Sequence, residues 1–289
     1  MQVLLNGFVQ GLILALLALA FNVVYQPARI FYLALAGIYT CAPFIVRTCL
    51  GTGLPDIACF IISAAFCVIL SLSCEFINHR PLEKKKASLE VHLISSLGLY
   101  FLIVHSVALF YGNNPSTLWD RPDHLFHFYE IGISKGQMIS IITSTIVLSI
   151  FFFWLYRFRL GLIYRAVSGN PIEMSLKGFN LNVLRYTAFG ISGFLASISS
   201  NLSAVDTNNF DPYGGLEALV LAIIAVIIGG RNSFAGPVIG ALVLGILRNE
   251  VIWYFSARWA DTITFLLLVL FLLFRPGGLI QTQTRIEAV

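Results

Sequence analysis

No Asp, Glu, Lys or Arg occurs before Arg29. The apolar run from Val3 to Val24 reaches the ~20 residues that carry a helix across a bilayer core. It is too long for the apolar part of a secretion signal and lacks the basic start of one. It predicts a retained first membrane helix. The pattern recurs along the chain, at 3–24, 31–49, 57–76, 91–111, 138–156, 183–204, 216–230, 234–255 and 259–274. The seventh stretch is short, and the eighth is glycine-rich and carries Arg248. Eight spans plus half-helices therefore fit nearly as well as nine. Of the 289 residues, 58% are hydrophobic and 11% charged, against about 25% charged in a soluble domain. Such a composition excludes a soluble enzyme, a disordered chain and a nucleic-acid binder. The expectation is an all-α polytopic transmembrane helical bundle of eight or nine spans, forming a single domain over 1–289.

Charge sets the expected orientation, because Lys and Arg collect in cytoplasmic loops. Arg80, Lys84, Lys85 and Lys86 lie in one connection, and Arg157, Arg159, Arg165, Lys177 and Arg185 in another two spans later. Placing both inside also puts Arg29, Arg231, Arg275 and Arg285 inside, which makes 13 of the 18 basic residues. The N-terminus is then outside and the C-terminus cytoplasmic. Two connections are long: an external one at about 112–137 and an internal one at about 157–182.

Several chemistries have no residues to support them. There is no GxxxxGK[ST], so the chain offers no P-loop for ATP. The five cysteines, Cys41, Cys49, Cys59, Cys67 and Cys74, are odd in number, contain no CxxC and sit in apolar runs. They read as small buried packing residues, without a disulfide or metal framework. His124 and His127 are three apart in the external loop, a spacing that suits a metal but more commonly marks two solvated side chains. His105 falls inside the fourth span, and an intramembrane ionisable group is a functional candidate; a neutral histidine bonded to a neighbouring helix is the plainer reading. Apart from Glu250, no carboxylate lies deep in a span, which speaks against a proton relay. The pattern suggests a pore whose energy comes from elsewhere.

Polar and small residues give a set of candidate path positions. Asn6 and Gln10 share a helix face and can meet a polar solute or a neighbouring helix. Gly37, after the break at Gln26-Pro27-Ala28-Arg29, echoes Gly229, Gly230 and the Gly236-Pro237 run after the seventh stretch. Helix breakers at corresponding places mark a midplane pathway in many transporters; close backbone packing is the first reading of the same residues and a pathway the second. In the internal loop Asn170 can cap a helix begun by Pro171 and ended by Gly178, with Glu173 in the first turn and Lys177 in the last. This short amphipathic helix either docks in a partner's groove or lies on the membrane surface.

These segments resemble the integral membrane permease of branched-chain amino acid ABC importers, the LivH/LivM type, which includes urea-uptake permeases. The resemblance is carried by Asn6-Gly7 with Gly11, by Gly161 and Arg165-Ala166-Val167, and by Asn170-Pro171 and Gly178-Phe179-Asn180. In the C-terminal half it rests on Asp211-Pro212-Tyr213-Gly214, Ile228-Gly229-Gly230, Gly236-Pro237-Val238-Ile239-Gly240 and Arg275-Pro276-Gly277-Gly278-Leu279. It covers most of the chain and is weakest across 88–137. It implies a multi-pass protein of the bacterial inner membrane with no cofactor of its own. It also implies P-loop ATPase subunits that bind the ATP, a second permease subunit and a periplasmic solute-binding protein. By the same resemblance Arg165, Ala166, Asn170, Glu173 and Gly178 belong to the segment that docks on the ATPase. Departures include Met174, where the family commonly has a small residue, Ile172, where it often has an acidic one, and a glycine displaced by one in Ala34-Leu35-Ala36-Gly37. The implied solute is small and neutral or zwitterionic, with branched-chain amino acids first and urea or short amides second. A stand-alone carrier or channel remains the rival class, followed by a membrane enzyme built on His92, His105 or the external histidines.

Overall fold

The computed structural model describes residues 1–119, 125–128, 131–169, 177, 181–275 and 277–280. In chain order the elements are α1 (Gln2–Ala28), α2 (Ala34–Gly51) and α3 (Asp56–Cys74), which continues through a π-helical turn at Glu75–His79 into α4 (Arg80–Lys84). Next come α5 (Leu89–Tyr111), the strands β1 (Leu125–Phe128) and β2 (Ile131–Ser134), α6 (Lys135–Arg157) and α7 (Arg159–Gly169). The chain continues through α8 (Leu181–Thr207), α9 (Gly214–Gly229), α10 (Ala235–Tyr254) and α11 (Ala257–Phe274). Among the described residues eight helices are long and apolar enough to cross a membrane. The seventh apolar stretch, α9, has 16 residues and spans only about 24 Å at ~1.5 Å per residue. Among the described residues there are thus eight helices of spanning length and apolarity, and α9 as a shorter apolar one.

α1 is the central post. From Leu12 to Val24 every residue except Leu14 is buried, the all-round apolar pattern of a helix enclosed by others. It packs most extensively on α10 and α8. Glycines set its distance from α10: a Cβ on Gly7 would lie 2.8 Å from the Ile246 Cα, and one on Gly11 3.0 Å from the Leu242 Cα. α3 uses another small-residue seam. Its buried residues are Cys59, Ser63, Cys67, Ser71 and Cys74, spaced three and four apart on one face. Small side chains let helices approach closely in a medium with no hydrophobic drive between them. Ser63 Oγ donates to the Ala42 carbonyl at 2.9 Å, and Ser71 Oγ to the Phe189 carbonyl at 2.7 Å, so α3 is stitched to α2 and α8. Cys41, Cys59, Cys67 and Cys74 are buried, while Cys49 is half-buried.

The two ends of the bundle differ. At one end the connection between α5 and α6 departs from the all-helical expectation, because β1 and β2 pair antiparallel. Gln2 pairs with its backbone, donating to the Gly132 carbonyl at 2.8 Å and accepting from the Gly132 N–H at 3.1 Å. A capping box between Ser134 and Gln137 starts α6 directly after β2. Asn208 accepts from the Leu118 and Trp119 N–H groups and donates to the Trp119 carbonyl, tying 116–119 to the end of α8. At the other end the basic connections gather around Arg29, α4, α7 and the start of α8. Here the tail covers the end of α9: Leu279 N–H donates to the Ile228 carbonyl at 2.8 Å and Ile280 N–H to the Gly229 carbonyl at 3.0 Å. These are carbonyls that a helix terminus leaves unpaired. The Ile228-Gly229-Gly230 and Gly277-Gly278-Leu279 motifs are thus two halves of one structural joint.

Candidate functional site

A cleft of about 240 Å³ opens toward the hairpin end between α1, α2, α8, α9, α10 and α11. That volume lies just under the ~300–1,000 Å³ usual for small-molecule sites, so it suits a small solute. Ile13, Leu14, Leu17 and Leu244 line it with apolar surface, while Gln10, Ser199, Ser203, Asp206, Thr207 and Arg248 supply polar groups. The Arg248 guanidinium bridges two carboxylates, Glu217 at 3.2 Å and Asp261 at 2.8 Å. Its Nη1 is buried without a partner among the described residues. Gln10 accepts from the Asn249 side chain at 2.8 Å, which turns its amide toward α10.

Of the path candidates Asn6, Gln10, Gly37, His105, Gly229 and Gly230, only Gln10 lines this cleft. Asn6 sits above it, accepting from Gln2 at 3.3 Å and Gln137 at 3.1 Å, and so holds the hairpin end of α1. Gly37 faces α5, where its absent side chain leaves room for Ile103. His105 lies in the last two turns of α5 rather than mid-span; its ring stacks with Phe101 and meets Tyr213 edge-on. Gly229 and Gly230 form the joint with Gly236 and Gly278 at the opposite end. Asp206 and Arg248 are the contributions the sequence did not single out as path residues. Each lies near a span end, where a charge is ordinary, and only folding brings them to one cleft.

The coupling candidates fall in two groups. Asn170, Glu173 and Gly178 lie outside the described residues, as does the helix expected from Pro171. Arg165 and Ala166 lie on α7. The chain leaves α6 through extended backbone at Phe158, and Gly161 permits the reversal, since a Cβ there would lie 2.5 Å from the Leu155 and Trp154 carbonyl oxygens. α7 then seats Tyr164 and Val167 in the core, with the Tyr164 hydroxyl donating to the Val23 carbonyl. Its other face leaves Leu162, Ala166 and Gly169 exposed, and the Arg165 guanidinium lies 4.5 Å from the Tyr156 ring centroid. α7 is thus an anchored helix with a small, apolar outer stripe.

The start of α8 carries a network that the sequence did not reveal. Glu75, in the π-helical turn, accepts from Arg185 Nε at 2.9 Å and Nη2 at 3.2 Å. Both residues are buried, and Arg185 also pairs with Glu83. One turn on, the His79 and His92 Nδ1 atoms are 3.3 Å apart, so one ring donates and the other accepts. The Tyr32 ring lies edge-on to His79. In the sequence Arg185 reads as a loop charge, and nothing there pairs it with a residue 110 positions earlier. Among the described residues no cluster of His, Cys, Asp and Glu is arranged to hold a metal.

The molecule is an apolar helical bundle with a cleft between α1, α2, α8, α9, α10 and α11 and an anchored surface helix, α7. The family model for the permease component of branched-chain amino acid transport systems matches residues 3–272, and the chain belongs to that family. The permease BraD of a high-affinity branched-chain amino acid system in Pseudomonas aeruginosa is 26% identical, over 97% of this chain and 95% of the relative. LivH of Escherichia coli K12 is 27% identical with the same coverage. The ribose import permease RbsC of Escherichia coli K12 is 28% identical over 51% of this chain and 49% of its own length. Among solved structures, PsaBC from Streptococcus pneumoniae in complex with Fab covers 95% of this chain and 92% of its own, with a TM-score of 0.52 and 13% identity. That likeness concerns the fold alone.

Proposed function

We propose that this chain is the membrane-spanning subunit of an ABC importer that admits branched-chain amino acids at the hairpin end and releases them at the basic end. Separate P-loop ATPases, a second permease subunit and an external solute-binding protein complete the assembly in a bacterial inner membrane. The observation that carries the reading is the cleft. Its aliphatic wall suits a branched side chain, and its rim brings carboxylate and guanidinium groups to the opposed charges of a zwitterion. Urea has nothing to place against Ile13, Leu14 and Leu17. The gathering of the basic loops at one end supports a hairpin end that faces out.

The test is uptake by cells that carry the complete importer, with and without this chain. Labelled leucine is expected to enter only with the chain present, and a hundredfold excess of urea to leave the rate unchanged. Urea uptake in place of leucine uptake contradicts the substrate assignment. Leu14→Trp fills the cleft wall and is expected to lower leucine uptake at least tenfold with the protein still in the membrane. Ala166→Glu places a charge on the outer stripe of α7, and an equal or larger loss is expected there, accompanied by loss of the ATPase subunit on purification. Uptake at the original rate in the Ala166 variant removes α7 from the coupling surface.

A further inference from the structure

The α2–α3 hairpin carries a second chemistry at its tip. Its register is fixed by two bonds: the Cys67 thiol donates to the Ile38 carbonyl at 3.6 Å and Ser63 Oγ to the Ala42 carbonyl at 2.9 Å. Each step of four toward the tip on α3 matches a step of four on α2. The next step places Cys59 opposite Val46, and the two share a small packing cluster that Cys49 and Leu50 border. Cys49 lies one turn beyond Val46, on the same face. Cys49 packs against the cluster that contains Cys59, so the two thiols border one small patch at the hairpin tip. They differ in access, since Cys59 is fully buried and Cys49 half-buried. Cys41 and Cys67 are buried further along the hairpin, where no oxidant reaches them.

We propose that Cys49 and Cys59 are a dithiol pair that closes to an intramolecular disulfide by exchange with a disulfide oxidant at the hairpin end. The exposures give the order of steps. The Cys49 thiolate attacks one sulfur of the oxidant, forms a mixed disulfide and releases the first oxidant thiol. The Cys59 thiolate then attacks the Cys49 sulfur and displaces the second. The two protein thiols lose two electrons and two protons, and the oxidant leaves as two thiols. The product bridges α2 and α3 across the Thr52–Pro55 turn and locks the hairpin tip beside the 116–119 segment.

Thiol counting tests this in membranes that contain the full transporter. Vesicles are exposed to oxidised glutathione, denatured, and labelled with a maleimide of added mass before or after dithiothreitol. Of the five cysteines, three are expected to label before reduction and five after it, on a monomeric band. Cys49→Ser is expected to label at four under both conditions; Cys59→Ser serves if the first variant does not accumulate. Five labels before reduction, or a protected pair that survives in Cys49→Ser, overturns the assignment. Access from outside rests on the proposed orientation. Oxidised glutathione does not cross the membrane, so closure in right-side-out vesicles supports both readings, while closure only in inverted vesicles keeps the pair and overturns the orientation.

Discussion

Replacing Glu75 by glutamine is expected to remove most of the uptake and to lower the amount of folded protein in the membrane. Arg185 is 6% exposed, and its guanidinium donates to both Glu75 carboxylate oxygens. Breaking one side of a buried ion pair costs about 3–5 kcal/mol, because the remaining charge stays buried without compensation. Glu83 also meets Arg185, but its side chain is 53% exposed, so it offsets only part of the loss. The double variant Glu75→Gln with Arg185→Met removes the stranded charge, and recovery of membrane accumulation is expected. Recovery of accumulation without uptake identifies the network as part of the coupling machinery rather than a fold requirement. The π-helical turn that presents Glu75 favours that outcome, since such turns are frequent at functional sites. Wild-type accumulation and uptake in the single variant contradict the account of the network.

Gly229→Val is expected to have a comparable effect for a different reason. A Cβ at Gly229 would overlap the Gly236 carbonyl oxygen, and one at Gly236 would lie 2.6 Å from the Gly229 oxygen. The obstructing atoms are backbone, which cannot rotate aside. Overpacking a tight site costs about 1–3 kcal/mol, and a backbone overlap belongs at the top of that range. Gly230 and Gly278 complete the joint with φ values of 111° and 79°, a region that side chains other than hydrogen rarely allow. Thermal unfolding of the purified protein checks this: the midpoint should fall by several degrees in Gly229→Val. Gly98→Ala is the control, because that glycine has no neighbour within 4 Å of an added Cβ and lies inside a helix, where alanine is favoured by about 0.5–1 kcal/mol. A midpoint that falls equally in both variants contradicts the joint.

What the sequence reveals is governed by periodicity and composition. The run from Val3 to Val24 needs no tertiary information to read as a membrane helix, and the same holds for the other long spans. Eight glycines quoted from the sequence, Gly7, Gly11, Gly161, Gly229, Gly230, Gly236, Gly240 and Gly278, prove to be places where a backbone or a helix comes within contact of another. For Gly229, Gly230, Gly236 and Gly240 close packing was legible in the sequence; Gly7, Gly11, Gly161 and Gly278 entered it only as motif residues. The cleft was hidden because its polar groups come from distant spans: Gln10 from α1, Asp206 from α8 and Arg248 from α10. Glu75 and Arg185 were hidden for the same reason, and the positive charge of Arg185 was absorbed into a loop tally that treats every basic residue alike. The hairpin at Leu125–Ser134 was missed because a strand pair outside the membrane core leaves no hydropathy signal.

The most direct measurement of the central claim is leucine uptake by proteoliposomes containing the complex purified through a tag on this chain. The account predicts that P-loop ATPases and a second permease accompany the tagged chain. Uptake should then require ATP on the α7 side and solute-binding protein on the hairpin side. A chain that purifies alone and moves leucine without ATP would contradict the importer and make α7 a surface helix with no coupling role.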